Sequence, residues 1–322
     1  MGTPSLEGRV AVVAGAARGA GRGIARMLGE AGATVYCTGR STRASATPSP
    51  RQAAGRPETI EETAEMVTAG GGVGIPIRVD HTRDDEVAAL FARVAQDHNR
   101  LDVLANVITG YPASWKGFLE ETPGEGRTFV DSWVWPHIST AWHAAKIMVT
   151  HRSGLIVELV EQTGIDFHGA FYFDLMEILL KRHIFALAHD LGQRGVTAVA
   201  VEPGFMRTEA ILEEFGVSEG NWRDGLEKGK EWGWGGSETP CFVGRAVAAL
   251  AADGGVARWN GRICTAWDLS AHYGFTDIDG SLPEREVLVR AQDEAKLTFM
   301  APMVAKARSV PVEWRVAPKG TD

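Results

Sequence analysis

One stretch near the N-terminus constrains this chain more than any other. Arg9-Val-Ala-Val-Val-Ala14 is an apolar, β-branched run of strand length. It enters the turn Gly15-Ala-Ala-Arg18-Gly19-Ala20-Gly21, followed by an amphipathic segment, Arg22 to Ala31, with Ile24, Met27 and Leu28 on one side. A second β-branched run, Thr34-Val-Tyr-Cys-Thr38, comes next. Strand, glycine turn, helix and strand make a βαβ unit, whose right-handed crossover commits the chain to a parallel sheet.

The alternation continues downstream. The sequence predicts a helix over 58–69, a third strand over 74–79, a helix over 84–98 (Val87, Leu90, Phe91 and Val94 at helical spacing) and a fourth strand over 101–107. A helical region over 129–149, interrupted by Pro136, precedes a fifth strand over 155–160. A long helix over 173–191 leads to a sixth strand over 196–201, and a helix over 240–252 to a last strand over 262–266. The expected architecture is α/β: one Rossmann-type, doubly wound parallel sheet of about seven strands with helices on both faces. No internal repeat or break suggests a second domain, so residues 1–322 are read as one domain. Loop insertions fall near 41–57, 108–127 and 209–239, and a C-terminal extension starts at about 270.

Bulk properties narrow the partners. A net charge of −8 argues against nucleic acid and anionic membrane as main partners. Cys37, Cys241 and Cys264 lie far apart with no metal-like spacing, so neither a disulfide framework nor a metal site is indicated. With no apolar run near the ~20 residues of a membrane helix and no signal-like start, a cytoplasmic location is expected.

The glycines at 15, 19 and 21 carry the first functional expectation. Leaving a strand and opening a helix, they allow backbone N–H groups to approach a pyrophosphate at a helix N-terminus. The end of the second strand selects between dinucleotides. A carboxylate there suits the ribose 2′-OH of NAD, whereas Arg40, with Arg18 inside the glycine loop, suits the 2′-phosphate of NADP(H).

With these residues in view, the chain resembles the short-chain dehydrogenase/reductase family over most of its length. Gly15, Gly19 and Gly21 match that family's glycine motif, with Arg18 and Ala20 between them. Asp80, followed by His81, matches the acidic station that meets the adenine. Leu104-Ala-Asn106 resembles the Asn-Asn-Ala-Gly strand motif with only Asn106 kept, and Pro203, Gly204 and Thr208 match the Pro-Gly-x-x-x-Thr segment lining the nicotinamide.

The resemblance also implies a Tyr-x-x-x-Lys pair, a serine and an asparagine, which hold and protonate a carbonyl substrate. Counting back from Pro203 without gaps places Phe173 at the tyrosine position and Glu177 at the lysine position. The serine position falls at Glu161 and the asparagine position near His137. Phenylalanine has no proton to give, and glutamate would repel a tyrosinate. Replacement acids or bases are sought in Tyr172, one residue early, in Glu161 after the fifth strand, and in His137, which titrates near neutrality. Glu158, inside that strand, is read as structural.

Aromatic residues on loops at the strand ends suggest a pocket for a hydrophobic or aromatic small molecule: Tyr111, Trp115, Trp135, Phe173, Phe205 and Trp232. Three functions stay open. The first is a non-redox step, such as cyclisation, isomerisation or elimination in specialised metabolism, with NADP(H) retained without turnover. The second is an NADP(H)-dependent oxidoreductase with a replacement acid. The third is a non-catalytic partner subunit. A homodimer or homotetramer is expected from the resemblance.

Overall fold

The computed structural model describes residues 5–44, 57–109, 116–161, 170–284 and Val287. Seven parallel strands form one sheet: β1 (Val10–Ala14), β2 (Thr34–Gly39), β3 (Val73–Arg78), β4 (Val103–Asn106), β5 (Gly154–Leu159), β6 (Val196–Glu202) and β7 (Ile263–Thr265). Their order is β3-β2-β1-β4-β5-β6-β7, so the winding reverses between β1 and β4. At such a reversal the two crossovers leave in opposite directions and open a crevice beyond the strands' C-terminal ends.

The strands are apolar on both faces because both faces are covered. Along β1, Ala11 and Val13 enter one core, with Ile24 and Leu28 of α1 (Gly19–Glu30) and Phe242 and Val247 of α8 (Pro240–Ala252). Val10 and Val12 enter the other, with Val87 and Leu90 of α3 (Asp84–His98), Met148 of α5 (Trp135–Thr150) and Ile184 of α6 (Phe171–Leu191). The α1–α8 packing is unusually close. A methyl on Gly23 would overlap the Pro240 carbonyl, and one on Gly244 would lie 2.5 Å from the Gly23 carbonyl oxygen.

The expected interruption at Pro136 is corrected. α4 (Pro123–Phe129) runs through a π-helical stretch, Val130–Val134, into α5, and Pro136 lies in the first turn of α5. Wider π turns are a known way to insert a residue into a helix. Here the stretch carries Trp133 against Phe173, at a ring-centroid distance of 6.0 Å. The remaining helices are α2 (Ile60–Ala69), α7 (Glu209–Phe215) and α9 (Ala266–Tyr273). None of the helices described is long and apolar enough to cross a membrane.

Candidate active site

The cradle forms where β1 turns into α1. Gly15 has φ +90° and Gly19 φ +54°, conformations that L side chains rarely adopt. A methyl on Gly15 would overlap the Val107 carbonyl, and one on Gly21 the Gly15 carbonyl. Thr208 closes the cradle from across the crevice, its Cγ2 3.5 Å from where a Gly19 Cβ would stand, and it caps α7 by accepting from the Ile211 N–H. Ala20 is buried in the first turn of α1. One feature of this corner is illegible in the local sequence. The Gly19 N–H donates to Glu209 Oε2 at 2.9 Å, and Glu209 Oε1 lies 3.5 Å from Arg22 Nε.

Two cations flank the end of β2. Arg18 Nη2 donates to Ser41 Oγ at 3.0 Å, with Glu58 3.8 Å from its Nε, and Arg40 is exposed beside it in sequence. The Asp80 carboxyl is held below its ordinary value. Burial opposes this, but hydrogen bonds from the Thr82 hydroxyl and N–H, and the charges of Arg40 and Arg78, win. His81 is a correction to the expected cofactor set. Its ring is buried between the Thr38 and Thr140 hydroxyls, at 2.9 and 3.0 Å, and burial depresses it to about 3, so it is a neutral internal strut. The residue after a strand's last acid can face either layer, and here it faces inward.

A buried ionisable pair joins α5 to the C-terminal end of β5. His137 Nδ1 hydrogen-bonds Glu158 Oε1, while Nε2 lies 2.9 Å from the Ile108 carbonyl oxygen. Asn106 Nδ2 donates to the His137 carbonyl at 3.0 Å and to Glu158 Oε2 at 3.3 Å. Burial alone would depress His137, but the charge and hydrogen bond of Glu158, with the Ile108 carbonyl, hold it above its ordinary value. The charged form of the imidazole is thus favoured relative to a free histidine, with acceptors at both ring nitrogens. Reading Glu158 as merely structural missed that it is the partner that charges His137.

The positions counted from Pro203 are packed rather than poised. Phe173 is 3% exposed and meets Trp133. Glu177 is buried, accepts the Glu161 N–H at 3.0 Å and lies 3.6 Å from Lys181 Nζ, one turn further along α6. An ammonium is therefore present, but it sits against Glu177. Tyr172 packs among Phe129 and Phe171 and above Gly126. Glu161 is exposed at the end of β5.

The aromatic residues divide. Tyr111 and Trp115 lie outside the described residues. Trp135 is half-exposed and donates to Asp84 Oδ1 at 3.2 Å, so it braces α5 on α3. Trp232 is 61% exposed. Phe205 joins Trp222, Phe215 and Trp234 in the small core of the 205–237 loop, with Trp234 fully buried and stacked on Phe215 at 4.3 Å. Trp135 and Trp232 are thus surface residues in this structure, and Phe205 packs within the loop's core.

That loop is pinned at its base. Glu238 N–H donates to Phe205 O and Arg207 N–H to Glu238 O, at 2.9 and 2.7 Å. Buried Arg207 reaches Glu219 at 2.8 Å and the Ser237 carbonyl at 2.6 Å, and lies over the Trp222 ring. Glu238 is buried beneath Gly204, with Oε2 2.7 Å from where a Gly204 Cβ would stand. Burial, with Asp277 and Glu202 adding to it, pushes its carboxyl up to about 8 against the opposing Gly204 amide and Arg207. Among the described residues no group of three or more metal-ligating side chains converges.

A parallel sheet whose winding reverses at β1 and β4, with a glycine cradle opening α1 at that point, defines a Rossmann-type dinucleotide-binding protein. Residues 15–257 match the family model described as enoyl-(acyl carrier protein) reductase. The chain is 31% identical over 286 residues to dehydrogenase/reductase SDR family member 1 of Mus musculus, covering 85% of each chain. Among solved structures, a short-chain dehydrogenase from Mycobacterium thermoresistibile superposes with a TM-score of 0.70 at 20% identity, over 87% of this chain and 92% of that one. YwfH, an NADPH-dependent reductase involved in bacilysin biosynthesis, superposes with a TM-score of 0.64 at 20% identity, over 80% and 96%. The chain belongs to the short-chain dehydrogenase/reductase family, whose members bind NAD(P)H.

Proposed function

We propose that this protein is an NADP(H)-binding member of the family that catalyses a non-redox step, such as cyclisation, isomerisation or elimination, on a hydrophobic small molecule. The observation that carries the reading is the state of the relay positions. Phe173 has no ionisable proton, and Glu177 is a buried carboxylate tied to Lys181 and the Glu161 N–H.

The residues present fit a dinucleotide. The cradle leaves no space at Gly15 or Gly21 for a side chain, and the α1 N-terminus already accepts an anion in the form of the Glu209 carboxylate. Arg18, Arg40 and Ser41 would hold a 2′-phosphate, Asp80 the adenine end, and Asn106, Pro203, Gly204 and Thr208 the nicotinamide end. Bound in an ordinary relative, the nicotinamide supplies hydride chemistry; in this reading it would be retained without turnover.

His137 is the acid of choice. Glu158 and the Ile108 carbonyl favour its charged form and orient it at the C-terminal ends of β4 and β5. A substrate oxygen replacing Ile108 O would receive the Nε2 proton. Tyr172, half-buried beside Phe129 and Phe171, and Glu161, open to solvent, are the alternative acids or bases. Exposed Trp142, Leu175, Leu179 and Phe185 on α5 and α6 support a homodimer or homotetramer.

A second reading, an NADP(H)-dependent oxidoreductase using His137 as its acid, is favoured by the family's reductases. One assay separates the two. The protein is incubated with NADPH and a panel of aromatic and alicyclic carbonyl compounds, following both nicotinamide absorbance and product by mass spectrometry. Product with unchanged cofactor is expected; stoichiometric NADPH oxidation overturns the non-redox reading.

A further inference from the structure

One of the backbone donors in the glycine cradle at the start of α1 is engaged by a side chain from 190 positions away. Helix α1 begins with no side-chain cap of its own, since its N-cap residue Arg18 reaches outward to Ser41 instead. The N–H of Gly19, in the first turn of α1, is satisfied by Glu209, the first residue of α7, and the same carboxylate neighbours Arg22. An anion at a helix N-terminus is held by both the free N–H and the helix dipole, so a carboxylate and a phosphate compete for one place.

We propose that Glu209 is an internal counter-anion that docks α7 on the phosphate cradle and must be displaced when the dinucleotide binds, so that cofactor binding releases α7. This rests on the cofactor reading given above. The local chemistry is arranged for exchange. Arg22 keeps Glu62, at 2.7 Å, and the Ala17 carbonyl, at 3.0 Å, when Glu209 leaves, so it is not stranded. Glu209 is only half-buried and can turn to water. Thr208 still caps α7 through the Ile211 N–H. The start of the 205–237 loop is thereby placed under control of the phosphate site, only a few residues from the Pro203-Gly204 segment.

The test compares wild type with Glu209→Gln, which keeps the side chain's shape and removes its charge. Binding of NADP+ is measured by titration calorimetry, and amide exchange of 208–216 is followed with and without NADP+. The variant is expected to bind roughly tenfold tighter, the effect of removing one charge-assisted competitor. In wild type NADP+ should speed exchange in 208–216; in the variant exchange should already be fast without ligand. Equal or weaker binding by the variant, or wild-type binding that leaves 208–216 unchanged, overturns the latch while the cofactor reading stands. Binding by neither protein removes the cofactor reading and the latch with it. Binding by the variant alone supports both.

Discussion

Replacing Glu158 with glutamine should invert the pH dependence that His137 gives to stability. His137 sits above its ordinary value of 6.5 because Glu158 faces it, despite full burial. A histidine raised on folding contributes stability that is complete below its unfolded value and is lost as pH rises through the folded one. Glutamine still accepts from His137 and Asn106 but carries no charge. Burial then dominates, as it does for His81, which is held at about 3 by desolvation. The folded value of His137 falls below 6.5, and its contribution in the variant is instead lost as pH falls. Between the two folded values the gap between wild type and variant widens by about 1.4 kcal/mol per pH unit on acidification. Its acid-side limit is the cost of breaking a buried pair, about 3–5 kcal/mol. His183, which also feels the Glu158 charge, shifts in the same sense. Urea unfolding of both proteins at intervals between about pH 6 and about pH 9 measures the gap, since unfolded carboxylates titrate below that range. A gap that does not change with pH, or one that narrows on acidification, refutes the claim that Glu158 holds His137 above its ordinary value.

Two further outcomes follow from the same packing. Gly21→Ala drives a methyl into the Gly15 carbonyl and should cost about 2–3 kcal/mol while abolishing NADP+ binding, measured by thermal unfolding and calorimetry. Arg207→Leu removes the cation shared by Glu219 and the Ser237 carbonyl and lying 4.0 Å from buried Asp277. The loss should be about 3–5 kcal/mol, seen as rapid limited proteolysis within 205–237; unchanged cleavage would mean that Trp222, Phe215 and Trp234 hold the loop unaided.

The sequence by itself determined the βαβ alternation, the two-sided burial of the strands and the glycine cradle. These are local properties, since periodicity and glycine spacing act within a few residues of where they are read. It expected a break at Pro136, where the chain instead runs helically from α4 through the wider π turn of Val130–Val134 into α5, with Pro136 just past that turn. Only the tertiary structure decided the rest. It joined His137 to Glu158, turned His81 inward onto Thr38 and Thr140, made Lys181 the partner of Glu177, and set Glu209 on the Gly19 N–H. It also sent Trp135 and Trp232 outward while packing half-buried Phe205 against Trp234. Such pairings depend on which layer a side chain enters and which strand ends meet at the winding reversal, and no periodicity along the chain encodes either.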